Sequence, residues 1–344
     1  MRDLELDGIT TVQAERAVPV IAGLAEARGL PGIGVDTAHL MTNKLAMRRR
    51  LEEAAVPQPR FAPLATDADV ATAAAAVGFP AVVKPVDASG QYGVARVRSL
   101  EEFAERLESA QAVSPSGEAL LEEFVEGLEL NGIVVVSNAA VRSVTFCDRL
   151  RPDGASFGVS WIHLYPPNLS SDVLAEAERV VVAAVEALGL ENGIAFPQLI
   201  ATRDGRVVVV ECAARIGGLM AEHVLHARGI DLLEAQLRIA LGDELPDDLL
   251  RPRFDRPVAV RFLTADPGPL RTGRVVGVGS LDPVLAQPGV VQAEIYAREG
   301  EVIRPVTVIS DRRGWVIAVG RDRDEALARA EAAAARVEVE VEAV

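Results

Sequence analysis

The chain has 344 residues, long enough for two or three domains, and its 49% hydrophobic but 4% aromatic composition calls for a core of Ala, Val and Leu. With 35 Lys and Arg against 50 Asp and Glu, the formal charge is −15, which repels a nucleic-acid backbone and leaves any anionic ligand to a local basic cluster. Cys147 and Cys212 form no disulfide framework or zinc-ligand spacing. The opening "MRDLELDGIT" has no basic segment followed by an apolar run. The most apolar stretch, "VVVAAVEALGL", is broken by Glu186 and falls short of the ~20 residues of a membrane span. The expectation is a soluble, cytoplasmic protein with neither nucleic acid nor membrane as partner.

In chain order, "GITTV" (residues 8–12) reads as a strand and "QAERAVPVIAGLAEARG" as a helix with apolar residues three and four apart. A Pro/Gly turn follows. The helix "TNKLAMRRRLEEAAV" takes Thr42 as N-cap, carries Lys44 in its first turn and is closed by Pro57 and Pro59. Residues 60–125 alternate: helix "DADVATAAAAVG", strand "AVVKPV", a Gly-containing turn, strand "GVARV", helix "SLEEFAERLESAQ", strand "ALLEEFV". Strands "NGIVVVSN" and "VRSVTFCDRL", a Pro- and Ser-rich loop, and the helix "SSDVLAEAERVVVAAVEALG" come next. The hairpin "GIAFPQLIATRDGRVVVVECAAR" then turns at Asp204-Gly205. Short β runs and the helix "RDEALARAEAAAARV" end the chain. The expected domains are 1–59, 60–125, 126–250 and 251–344.

Only two of the basic residues are lysines, Lys44 and Lys84; the other thirty-three are arginines. Lys84 lies in an apolar strand ahead of a turn with Ser89, Gly90 and Gly93. A desolvated ammonium beside backbone N–H groups makes a phosphate clamp, although alone the pattern also fits a lysine that snorkels to solvent. "LLEEFVEGLEL" packs Glu122, Glu123, Glu126 and Glu129 around Phe124 and Val125. Such a strand offers backbone groups to an adenine edge and a carboxylate to ribose hydroxyls, or is simply a solvated acidic edge. "VVVVECAARIGGLM" places Glu211 at a strand end with Arg215 four residues on, a cation ligand and an anion holder or an ordinary ion pair.

Taken in order, "TNKLAMRRRLEEAAVPQPRF", "FPAVVKPVDASGQYGV", "LLEEFVEGLEL", "LGLENGIAFPQLIATRDG" and "VVECAARIGG" resemble the ATP-grasp superfamily and its carboxylate–amine ligases. These include relatives of L-amino-acid ligases, biotin carboxylase and D-alanine:D-alanine ligase. The resemblance implies an α/β (α+β) fold in which two α+β subdomains clasp ATP, with a truncated Rossmann-like N-terminal unit and a β-rich C-terminal subdomain. It implies ATP and Mg²⁺ as cofactors and an amide or peptide bond made through an acyl phosphate on an amino-acid-like substrate. The alternatives are biotin-carboxylase-like or purine-pathway chemistry and a non-catalytic nucleotide-binding scaffold.

By the same resemblance Lys44 and Lys84 contact nucleotide phosphates, a compact point charge suiting a migrating phosphoryl better than a planar guanidinium. Ser89, Gly90 and Gly93 belong to the loop over the phosphates. Glu122, Glu123 and Val125 lie at the adenine, Glu122 and Val125 largely through backbone, and Glu129 binds ribose. Glu211 and Gln198 are the metal residues, and Arg215 and Lys84 act on the transferring phosphoryl or acyl phosphate. His163 is either substrate-side or structural, and His223 with His226 mark a helix face near the site.

Three departures stand out: Gln198 where a second acidic metal ligand is usual, Ala213 where asparagine is common, and Tyr92 in the phosphate loop. Relatives also carry several β–α units before the lysine helix, whereas forty-three residues precede Lys44 here. Either the start given lies inside a longer reading frame or the sheet edge left incomplete is covered by another subunit, and on the second account a homodimer is expected. The tail segments "AVRFLTADPG" and "GWVIAVGRDRDEALARAEAA" resemble the C-terminal subdomain of dipeptide-forming ligases.

Overall fold

The N-terminal residues fold as helices without the expected strand. The structure, a computed structural model, describes residues 5–65, 70–151 and 158–344. In it "GITTV" has no regular secondary structure and joins no sheet: Gly8 lies against the backbone of Ala240, and Gln236 Nε2 donates to Thr10 Oγ1 at 2.7 Å. A 3₁₀ turn (Glu15–Ala17) leads into α1 (Val18–Arg28), which ends on left-handed Gly29. The stretch read as a turn contains α2 (Val35–Leu40), too short to display a helical period. Helix α3 spans Lys44–Glu53. Its N-cap is Asn43 and not Thr42: Asn43 Oδ1 accepts from Ala46 N at 2.9 Å, while Thr42 Oγ1 donates back to Ala38 O at 2.7 Å.

The remaining elements are β1 (Phe61–Leu64), α4 (Val70–Val77), β2 (Ala81–Pro85), β3 (Ala95–Val97), α5 (Leu100–Val113), β4 (Ala119–Glu123), β5 (Leu128–Ser137) and β6 (Ala140–Leu150). Residues 67–69 of the expected helix "DADVATAAAAVG" lie outside the described residues. Then come β7 (Ile162–Tyr165), α6 (Ser171–Ala187), β8 (Gly193–Ala201), β9 (Val207–Ala213), α7 (Met220–Arg228), α8 (Leu232–Leu241), β10 (Val258–Phe262) and β11 (Gly273–Val278). The chain ends with α9 (Asp282–Leu285), β12 (Val290–Ile295), β13 (Val302–Ile303), β14 (Gly314–Val319), α10 (Arg323–Ala334) and β15 (Val339–Glu342). Strand β7 emerges from what read as the Pro- and Ser-rich loop. No helix among the described residues is long and apolar enough to cross a membrane.

The chain divides into two units, the first being Met1–Phe146, Leu169–Leu225 and Ile230–Arg253. Within it β1-β4-β2-β3 form an antiparallel sheet packed on α4 and α5 through buried Val83, Phe103 and Leu121. Truncating Phe103 to Ala would open a cavity at about 3–5 kcal/mol. Strands β5, β8 and β9 lie side by side, and Leu130, Val134, Leu199, Val207, Val209 and Cys212 bury one face against Val180, Val181 and Ala184 of α6. By strand alternation Glu129, Asn131 and Gln198 occupy the opposite face.

Glu211 joins them through a bulge. Gln198 pairs with Glu211 but Leu199 pairs with Val209, so Val210 is an extra residue. The buried series of β9 accordingly runs Val207, Val209, Cys212, and Glu211 turns to the other face.

The second unit is Cys147–Asn168, His226–Gly229 and Phe254–Val344. The end of β6 pairs with β7, then β10, β14 and β12 follow, and β11 sits between β13 and β15. Helix α10 packs Ala326 and Ala330 on Ala259 and Ala318, small residues that let it lie close to the strands.

Candidate active site

Lys84 and Glu122 meet because of strand register. Val82 pairs with Glu122 across β2 and β4, so Lys84 lies diagonally opposite the carboxylate on the same face, with Nζ 2.7 Å from Oε2. Arg48, one helical turn after Lys44 on α3, approaches the other oxygen: Nε is 2.7 Å from Oε1. Its Nη1 donates to Gln58 Oε1 at 3.3 Å and to Val209 O at 3.2 Å, and Nη2 donates to Val210 O at the bulge. All three charged side chains are buried. Burial pulls the Lys84 ammonium down to about 8 against the attraction of Glu122. Burial would push the Glu122 carboxyl up, but Arg48 and Lys84 together hold it below the usual range.

Lys44 reaches the same region from the start of α3. Its backbone N donates to Val86 O at 2.8 Å, its Nζ donates to Ala88 O at 2.7 Å, and the ammonium lies 3.4 Å from Glu211 Oε1. Although burial raises the Glu211 carboxyl, Lys44, Lys84 and Arg215 outweigh it and keep the pKa low. Beside Glu211 the Cys212 thiol is pushed up to about 12 by burial and that neighbouring charge, so it is no nucleophile.

Arg215 completes the charged patch. Its Nη2 is 2.7 Å from Glu15 Oε2, and its guanidinium carbon is 5.5 Å from the Phe196 ring centroid. Glu15, from the 3₁₀ turn, has a raised pKa because burial and then Glu211 disfavour its charge, with Arg215 opposing both.

The structure thus gathers Lys44, Lys84, Glu122, Glu211, Gln198 and Arg215, and adds Glu15, Arg48 and Asn131. Of the added three, only Arg48 left a signal, at i+4 from Lys44. The Ser89–Gly93 loop turns through left-handed Gly90, Gln91 and Gly93. A Cβ on Gly93 would meet Val113 of α5 at 2.5 Å, so only glycine fits. Tyr92 is exposed and Val125 is buried. Glu123 points away from the cluster to Arg60, 3.2 Å off at the outer surface. Glu129 is half-buried on the face that carries Asn131. In the second unit His163 is buried with Nε2 3.3 Å from Ser160 Oγ, edge-on to Phe262 at 5.1 Å. His223 is buried on α7.

No group of three or more His, Cys, Asp or Glu side chains that would hold a metal ion occurs among the described residues. Glu211 opposite Gln198 supplies one carboxylate and one amide, a donor set that fits a cation brought in by a polyphosphate. Mg²⁺ typically takes one or two protein oxygens and fills the rest with phosphate and water.

Residues 43–248 match the family described as carbamoyl-phosphate synthase L chain, ATP binding domain, and residues 261–342 match L-amino acid ligase C-terminal domain 2. The uncharacterized protein y4rH of Sinorhizobium fredii is 29% identical over 329 residues, covering 94% of this chain. The L-arginine-specific L-amino acid ligase of Bacillus subtilis is 24% identical over 291 residues, covering 80%. In each case the aligned region is 66% of the relative's own length, just under two thirds. The crystal structure of an L-amino acid ligase from Bacillus licheniformis superposes with a TM-score of 0.83 at 25% identity, covering 98% of this chain and 81% of that one. Since the ATP-binding match alone takes in more than half of the 344 residues, the chain belongs to the ATP-grasp family.

Proposed function

We propose that the protein activates a carboxylate with ATP and joins it to an amine, releasing ADP and phosphate, with amino-acid-like substrates. The observation that carries this reading is the convergence of Lys44, Lys84 and Arg215 on Glu211. In a chain of charge −15 this is the local basic cluster a triphosphate needs. Each lysine rests on a carboxylate that it can exchange for a phosphate oxygen, and Arg48 keeps Glu122 paired when Lys84 turns away.

Glu211, with Gln198 beside it, would hold the nucleotide's Mg²⁺, which when bound would draw charge from the migrating phosphoryl. The substrate carboxylate attacks the γ-phosphorus and the bond to the β-phosphate oxygen breaks, leaving an acyl phosphate and ADP. The amine then attacks the carbonyl carbon, phosphate departs with the C–O electron pair, and the amine's proton passes to solvent. Arg215 holds the carboxylate and then the acyl phosphate oxygens. Glu15, 2.7 Å from Arg215, is set to take the substrate's ammonium, so the pair suits both ends of an α-amino acid. The match to the L-amino acid ligase C-terminal domain supports the same substrate class. The assembly is a homodimer in this reading: Leu233, Leu237 and Leu241 form an exposed apolar ridge at four-residue spacing on α8, which a second copy would cover.

The test is ADP release with Mg·ATP against single amino acids, pairs of amino acids and bicarbonate. Pairs of amino acids should trigger turnover. A requirement for bicarbonate overturns the substrate class, and no substrate-dependent ADP release overturns the activity. A monomer by light scattering removes the dimer.

A further inference from the structure

We infer that Asn131 and Gln198 extend the site of Glu211 as a row of neutral amides that receives the water-bearing side of a divalent cation carried by a polyphosphate. The inference rests on the nucleotide reading above and assigns Asn131 a ligand contact.

Register places the row. Asn131 pairs with Gln198 across β5 and β8, and Gln198 pairs with Glu211 across β8 and β9. Directly paired residues project to the same face, so the three side chains stand in line, opposite the apolar face packed on α6. Nothing in the apolar pattern of β5 calls for an amide at this point. Leu130, Ile133, Val134, Val135 and Val136 are all buried, and valine or isoleucine would suit the strand better.

Asn131 is only 1% exposed, and both its Oδ1 and its Nδ2 lack a hydrogen-bond partner among the described residues. Burying both ends of an amide unpaired carries a desolvation penalty with no local return. A ligand that supplies a donor and an acceptor removes that penalty.

The chemistry identifies the ligand. Lys44, Lys84 and Arg215 already provide for negative charge, whereas Glu15 and Glu122 are paired with arginines and the described residues offer a cation no group of three or more His, Cys, Asp or Glu. Mg²⁺ dehydrates reluctantly and keeps several waters, whose O–H groups need acceptors. The amide oxygens of Gln198 and Asn131 accept from such waters, and their N–H groups donate to phosphate oxygens. Being neutral, they do so without the repulsion that a second carboxylate would set against Glu211 in the unliganded protein.

The experiment uses the full chain as wild type, Asn131→Val and Asn131→Asp. The first readout is the melting temperature without nucleotide or metal. The second is ATP affinity by calorimetry, with Mg²⁺ and with EDTA. Asn131→Val should melt at or above the wild-type temperature, because an unpaired buried amide is gone. It should bind Mg·ATP about tenfold more weakly, the scale on which residues around a metal site act, and metal-free ATP less than tenfold more weakly, since only the N–H contact to phosphate is lost there. Asn131→Asp should restore the Mg²⁺-dependent part. A lower melting temperature for the unliganded Asn131→Val protein, or Mg·ATP affinity equal to wild type, overturns the row alone. A wild-type protein that binds no nucleotide in either condition overturns the functional reading and the row with it.

Discussion

Arg48 Nε lies 2.7 Å from Glu122 Oε1, joining two residues 74 positions apart. The same guanidinium donates to the carbonyls of Val209 and Val210, so one side chain ties together the strand bearing Glu122 and the bulge beside Glu211. Replacing it leaves the buried Glu122 carboxylate with Lys84 alone and takes the donor from two carbonyls. Arg48→Met should lower stability by about 3–5 kcal/mol, and Arg48→Lys by less, since it keeps the charge but not the three-way geometry. Urea denaturation of the three proteins checks this; equal midpoints would mean that Arg48 is not the tie described.

Lys84 titrates near 8, pulled down from 10.5 by burial. Below that value it is charged and attracts phosphate, so kcat/KM for ATP should be flat up to about pH 8 and then fall roughly tenfold per unit. Stability moves the other way. Between 8 and 10.5 the unfolded chain holds a proton that the folded chain has lost, so unfolding free energy climbs with pH in that window. Lys84→Met should flatten both profiles, and Lys84→Arg should not restore the rate. A wild-type pH profile in Lys84→Met would assign the titration to another group.

Glu129 lies on the face of β5 opposite α6, two residues before Asn131. A ribose contact there is made equally in the ground and transition states, so Glu129→Gln should raise KM for ATP several-fold and leave kcat nearly unchanged. A fall in kcat at constant KM would take Glu129 out of the nucleotide pocket.

Gln198 and Glu211 are direct cross-strand partners. Gln198→Glu sets like charges opposite each other and should cost the Mg²⁺-free protein about 0.2–1 kcal/mol. The added charge should also lower the Mg²⁺ concentration needed for half-maximal ADP release. Glu211→Gln should nearly abolish turnover. An unchanged Mg²⁺ midpoint in Gln198→Glu, with an active Glu211→Gln, would remove both residues from the cation site.

What could be read in the sequence followed local chemistry. Lys44 and Lys84 stand out because lysine is rare in the chain, whereas Glu211 and Arg215, which alone also read as an ordinary ion pair, stand out through the order of motifs that resembles the ATP-grasp superfamily. Glu15 gave no signal, since its partner Arg215 lies 200 positions away. Asn131 became visible only through strand register. Thr42 and Asn43 are both good caps, and only geometry separates them. "GITTV" has the β-branched composition of a strand but no neighbouring strand to pair with, and pairing decides the matter.

The extra residue in β9 also bears on how this hairpin tolerates change. Deleting Val210 would let Val209 and Glu211 occupy consecutive ladder positions, so Glu211 would still face the ligand side. The acceptor lost would be one of the two carbonyls that Arg48 uses, while Val209 O, Glu122 and Gln58 remain. A shortened hairpin of this kind would keep its acidic residue in place and leave the buried guanidinium one acceptor short, a cost that a change on α3 could offset. Length in β9 and residue type at position 48 should therefore affect stability as a coupled pair, not as two independent changes.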